Sequence, residues 1–179
     1  KLLCFCMLLL RKDMLRDWKA SAGCIQTGMN KGKPMRLLKV QPNSLAILTT
    51  RKPYDSDDNR FIFAIFLVDE NFEGDDRESG YVTTKSKGKI ELTPQEASKM
   101  LFWNYYANEN VPEKMVFGSG LHRYISDNQA VQILKDIIEI KSSPIEKKFA
   151  QEFMQHYCTI NGIDANNIPL PNGVLLRSD

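Results

Sequence analysis

Few residues in this chain have the types and spacing for covalent chemistry. Two histidines and four cysteines are present. His122 with Asp127, and His156 with Cys158, are the pairings that could join a base to an acid or a nucleophile. Neither sits in a recognisable catalytic motif. Cys4-x-Cys6 is tighter than zinc-ligand spacing, and Cys24 and Cys158 stand far from it, so the four do not form a zinc ribbon. Asp69, Asn71, Glu73 and Gly74 partly imitate an EF-hand loop. Its last position falls on Gly80, where a bidentate glutamate is required, and a strand precedes it in place of a helix. No glycine-rich phosphate loop follows a strand. These absences argue against a hydrolase or nuclease acting by itself and toward binding. No metal or cofactor is expected. Buried free thiols fit a reducing compartment, so the expected location is cytoplasmic.

Charge is the next signal. The formal net charge is only +2, but it is divided along the chain. Lys1–Lys52 holds eleven basic and two acidic residues, and Tyr54–Gly80 holds nine acidic and two basic. A basic face is therefore compatible with a near-neutral total. A length of 179 residues, with 42% apolar and 26% charged residues, fits one globular domain with a sizeable core. The apolar run Leu2–Leu10 is about half the length needed to span a bilayer. Arg11-Lys12-Asp13 follows it in place of a small-residue cleavage site, so it reads as mature structure and no membrane partner is expected. The chain opens on Lys1 rather than Met, which leaves room for a further domain upstream.

The elements that must position any site begin with Phe61–Val68. This run is continuously apolar and rich in β-branched and aromatic residues, which predicts a strand covered on both faces. Ser44–Thr50 predicts a neighbouring strand, entered by the turn Val40-Gln41-Pro42-Asn43. The intervening Arg51–Arg60 is too short for a helical crossover, so the two should be antiparallel. Tyr81–Thr84, Lys89–Leu92 and Leu121–Tyr124 read as short strands. Thr93-Pro94-Gln95-Glu96 is a capping box that opens a helix expected to reach Tyr106. Ser126-Asp127-Asn128-Gln129 opens another, with an apolar stripe from Ala130 to Ile138. Ser143-Pro144-Ile145-Glu146 opens a third, with Ile145, Phe149, Phe153 and Tyr157 at helical spacing and a stop near Asn161-Gly162. Leu2–Trp18 is compatible with a helix or a strand, Asn108–Phe117 reads as a loop and Asn166–Asp179 as an irregular tail. The expected class is α+β, with a small curved sheet flanked by helices.

A family resemblance sharpens this. Val40-Gln41-Pro42-Asn43 before Leu45-Ala46-Ile47-Leu48 resembles the "v-x-pGD-x-vllY" strand of PUA-like domains, with Asn43-Ser44 in place of Gly-Asp. Phe63–Val68 is similar to their "ivGia-x-V" strand. Phe117-Gly118-Ser119-Gly120-Leu121-His122-Arg123-Tyr124-Ile125-Ser126, leading into Ala130–Leu134, resembles the closing element of the EVE and YTH branch. Trp18, followed by the basic stretch Lys31–Lys39, sits where that branch places its opening tryptophan. The resemblance spans Trp18–Ile140. It implies a small PUA-like barrel over residues 1–141, with residues 142–179 as a helix and tail packed on the same domain.

The resemblance also implies a function, because such domains read modified nucleobases extruded from a strand. Extrusion costs a few kcal/mol, which aromatic stacking and hydrogen bonds to the base edge offset. The base-pocket candidates are Trp18, Thr49, Thr50, Trp103, Asn104, Ser119, Gly120 and Tyr124. The phosphate candidates are Arg51, Lys52, Lys85, Lys87 and Arg123. The expected partner is DNA or RNA, with a nuclease domain or subunit supplying any chemistry. The alternative is a protein-interaction domain that docks a partner on the Ile145–Tyr157 helix. An exposed apolar stripe there would favour it, and a basic concave face near Trp103 and Arg51 would favour nucleic acid.

Overall fold

The computed structural model describes residues 2–6 as backbone, and 15, 17–84, 88–117 and 122–177 in full. In chain order the strands are β1 (Leu2–Cys6), β2 (Lys19–Ser21), β3 (Leu45–Thr50), β4 (Phe61–Leu67), β5 (Tyr81–Thr83), β6 (Lys89–Glu91) and β7 (His122–Ile125). The helices are α1 (Gly74–Ser79), α2 (Pro94–Ala97), α3 (Asp127–Ile140) and α4 (Pro144–Asn161).

β3 and β4 pair antiparallel from Leu45↔Leu67 to Thr50↔Phe61, with a bulge at Leu48/Thr49. They are neighbours in a five-stranded sheet of order β6-β4-β3-β1-β7. Nearly every residue of both strands is buried, as continuous apolar runs require when both faces are covered. Trp18 packs edge-on against Phe66 with ring centroids 6.1 Å apart. β2 and β5 form a separate two-stranded sheet whose Ala20 and Val82 join the same core.

The barrel expectation is overturned. Among the described residues β6 and β7 end the sheet at opposite edges without pairing, so the sheet is open, and β5 pairs with β2 instead. Strands of three or four residues offer too few ladder bonds to bring such edges together. The α+β class stands. Of the two forms open to Leu2–Trp18, its start takes the strand: β1 is parallel to β3 and antiparallel to β7. A leucine-rich segment can take either form, and the backbone groups of β3 and β7 select the strand.

The capped helices form where expected, with different lengths. α3 opens on the Ser126–Gln129 capping box, and Ala130, Val131, Ile133, Leu134 and Ile137 enter the core. α4 ends on Gly162 in the left-handed conformation. α2 has its Thr93–Glu96 capping box but stops at Ala97, where an extension to Tyr106 was expected. Two backbone bonds to β4 take over there: Ile62 N donates to the Met100 carbonyl and Phe102 N to the Arg60 carbonyl, both at 2.9 Å. Met100, Phe102, Trp103 and Tyr105 are all buried, which no single helical stripe achieves. The tail holds two 3-10 turns, Ala165–Asn167 and Val174–Leu176.

Candidate functional site

The ends of β3 and β4 draw two arginines to one carboxylate. Thr50 pairs with Phe61, so Arg51 leaves the sheet where Arg60 enters it. Between them a 3-10 turn, Asp57–Asn59, presents Asp57. Arg60 Nη2 donates to Asp57 Oδ1. Arg51 Nε lies 3.6 Å from the same oxygen, and Arg51 Nη1 donates to the Asp55 carbonyl. Arg60 is 2% exposed. Its Nε and Nη1 have no hydrogen-bond acceptor, and neither has Arg51 Nε. A buried donor left unmatched costs about 1–3 kcal/mol, so the free protein holds this cluster at an energetic disadvantage.

A third arginine joins through an aromatic ring. The Arg60 guanidinium carbon is 5.2 Å from the Phe117 ring centroid, and that of Arg123 on β7 is 5.0 Å from the same centroid. Both distances suit cation–π attraction. Arg123 is held by the Phe117 carbonyl at 2.6 Å and the His122 carbonyl at 2.7 Å.

Arg123 also borders a polar cleft of about 530 Å³, lined by Tyr106, Asn108, Asn110, Tyr124 and Ser126 among others. The Tyr106 ring stacks on Phe102 at 5.1 Å. Tyr124 meets the His122 ring edge-on at 5.5 Å. The Lys39 ammonium lies 5.5 Å from the Tyr124 centroid, and the Lys39 backbone N–H donates to the Tyr124 hydroxyl at 3.5 Å. Burial, and then the Arg123 charge, lower the His122 pKa, so this imidazole is neutral at pH 7.

Several expected site residues lie elsewhere. Trp103 is 0% exposed and cannot stack on a ligand; its indole N–H donates to the Asp57 carbonyl at 2.6 Å and props the turn that carries Asp57. Thr49 is equally buried, so it cannot read a base edge. Half-buried Thr50 donates to the Arg51 carbonyl. The Asn104 carbonyl accepts from Gly173 N, which ties the tail to the core. Trp18 packs on Phe66, with the Lys89 ammonium 5.1 Å from its ring, and does not line the cleft. Lys52 borders a different cavity with Asn59 and Phe61. Lys85, Lys87, Ser119 and Gly120 lie outside the described residues. Of the described candidates, only Arg123 and Tyr124 line the cleft, and Arg51 stands in the arginine cluster.

Asp57, Arg60 and Phe117 escaped the sequence reading. Arg60 had a signal: a charged residue set directly against an eight-residue apolar strand needs a buried partner.

The Tyr157 hydroxyl donates to Asp127 at 3.2 Å, while His122 Nδ1 is buried without a partner. Burial raises the Cys158 thiol pKa, which opposes a nucleophilic role beside His156. Asp69 accepts from the Asn71 backbone at 3.0 Å and closes a local turn, and among the described residues no group of three or more metal-ligating side chains exists. No described helix is long and apolar enough to cross a membrane. Comparison with protein families, curated proteins and solved structures found no match to this chain.

Proposed function

We propose that this chain is a nucleic-acid-binding module without chemistry of its own. It takes a modified or extruded base into the cleft between Tyr106 and Tyr124 and meets the adjacent phosphates with Arg123 and Lys39. The observation that carries the reading is the guanidinium cluster: Arg51 and Arg60 gather at Asp57, Arg60 and Arg123 share the Phe117 ring, and Arg123 lines a tyrosine-bearing polar cleft. Phosphate matches the planar fork of a guanidinium group such as that of Arg123 at the cleft. The exposed Lys31 and Lys33 precede Lys39 in the chain and extend the positive charge, which suits a polyanion better than a small anion. Any reaction on the target belongs to a partner, such as a nuclease.

Fluorescence anisotropy with single-stranded DNA and RNA, methylated and unmodified, tests this. Binding should weaken as salt rises, because counterions return to the phosphates. Tyr106→Ala should reduce the preference for the modified base through lost stacking worth about 1–3 kcal/mol. Arg123→Ala should weaken all sequences alike, and Lys39→Ala should lower the salt slope by about one. An absence of binding to every oligonucleotide at low salt refutes the reading.

A further inference from the structure

A second cavity lies against α4. It is a groove of about 660 Å³ between α4 and the loop that follows β4, and it shares no lining residue with the tyrosine cleft. Leu67, Val68, Phe149 and Phe153 supply its apolar surface. Among the described lining residues Asp69, Glu70 and Glu152 carry the formal charge, and His156 lines the groove beside them.

The helix explains why the groove stays open. Ile145, Phe149, Phe153 and Tyr157 recur at four-residue spacing and share one face of α4. The C-terminal half of this stripe is in the core, with Phe153 and Tyr157 buried. The N-terminal half has no partner: Ile145 is 82% exposed and Phe149 is 40% exposed. Large apolar side chains aligned with a cavity at this spacing mark a docking face.

We propose that this groove docks a cationic segment of a partner protein, with one bulky apolar side chain seated on Phe149 and Phe153. The argument for that occupant is charge complementarity. An apolar surface alone would accept many partners; three carboxylates around it select lysine and arginine and reject acidic segments. Lys148 lies 3.8 Å from Glu152, but both side chains are exposed, and such a pair is readily exchanged for a better-placed cation. The polarity is opposite to that of the Arg123–Lys39 cleft, so a polyanion and a cationic peptide can be held at once without competing.

The test uses the full chain and a fluorescein-labelled synthetic peptide with a Leu-Phe centre flanked by lysines. One comparator has glutamates in place of the lysines, and another has Gly-Ser in place of Leu-Phe. Both comparators should bind about tenfold more weakly or worse. Phe149→Ala should weaken the first peptide by about tenfold, in the range of an anchor residue. The double variant Glu70→Gln/Glu152→Gln should weaken it and flatten its salt dependence. All three positions lie at the surface, and unchanged circular dichroism confirms that the variants fold. Equal binding of the glutamate-flanked peptide, or of Phe149→Ala, overturns the proposal. Met29, fully exposed beside Lys31, offers the same chemistry on a second copy of the chain. Concentration-dependent self-association that Phe149→Ala abolishes, read by sedimentation velocity, assigns the groove to that copy and overturns a foreign partner. Retained oligonucleotide binding by Phe149→Ala separates failure here from failure of the nucleic-acid reading.

Discussion

Lys141 shows how this chain buries a full charge. Its ammonium is 2.9 Å from Glu96 and 3.2 Å from the Glu91 carbonyl, with 3% of the side chain exposed. Burial alone would raise the Glu96 carboxyl pKa, but the Thr93 backbone N–H and Lys141 more than offset it, and the net shift is downward. A carboxyl with a depressed folded pKa contributes stability that is complete above its unfolded value, near 4.5, and is lost as pH falls through the folded value. Glu96→Gln leaves the buried ammonium with the more distant Glu146 carboxylate, at 3.7 Å, and should cost about 3 kcal/mol at pH 7. Urea denaturation over a pH series should show that gap closing below pH 4.5. Arg60 behaves oppositely. Its unmatched donors make the cluster costly in the free protein, so Arg60→Met should leave stability within about 1 kcal/mol or raise it. The same variant should weaken oligonucleotide binding. A large loss of stability would show that Arg60 serves the fold and not the ligand.

At the scale of elements, α3 carries the clearest test. Ser126 Oγ accepts from Gln129 N at 3.3 Å, and Gln129 Oε1 accepts from Ser126 N at 2.8 Å. Ser126→Ala removes one of these and should cost about 1 kcal/mol. Ile133 is completely buried, so Ile133→Ala opens a cavity and should cost about 2–5 kcal/mol. Chemical denaturation that ranks the two in reverse would mean that α3 is held by its cap and not by its stripe. The turn after α1 is constrained by a different device. Gly80 has a φ of +66°, and a Cβ there would overlap the Met35 carbonyl oxygen. Gly80→Ala should therefore destabilise by more than the usual glycine-to-alanine effect, about 1 kcal/mol, because both the backbone and its neighbour must yield.

At the scale of the whole molecule, the C-terminal segment is bound into the core. Ala150, Phe153 and Tyr157 of α4 are buried, and the Tyr157 hydroxyl bonds Asp127 at the start of α3. Beyond α4, Gln132 Nε2 donates to the Pro169 and Leu170 carbonyls, and Gly173 N donates to Asn104. A chain ending at Lys141 would expose the face of α3 that these residues cover. It should lose its cooperative thermal transition by calorimetry, since buried apolar area is the main support of so small a core. A sharp transition in the shortened chain would mean that residues 142–177 are dispensable to the fold.

The sequence by itself determined what depends on neighbours along the chain. The two capping boxes, the buried strand pair, the left-handed glycine after α4 and the divided charge are local patterns, and each was legible without a structure. Arg123 and Tyr124 were expected at a short strand near residue 121, and the structure sets both on β7, lining the cleft. Tertiary structure decided the rest. Leu2–Cys6 became a strand because β3 and β7 offered it backbone partners on both sides, a demand no window of sequence contains. The sheet stayed open because β5 found β2, and pairing choice is a long-range contest. Trp103 was assigned to a ligand and went to the core because α2 yields to β4 just before it. Arg60, Arg123 and Phe117 are far apart in the chain, and only the fold brings two guanidinium groups to one ring.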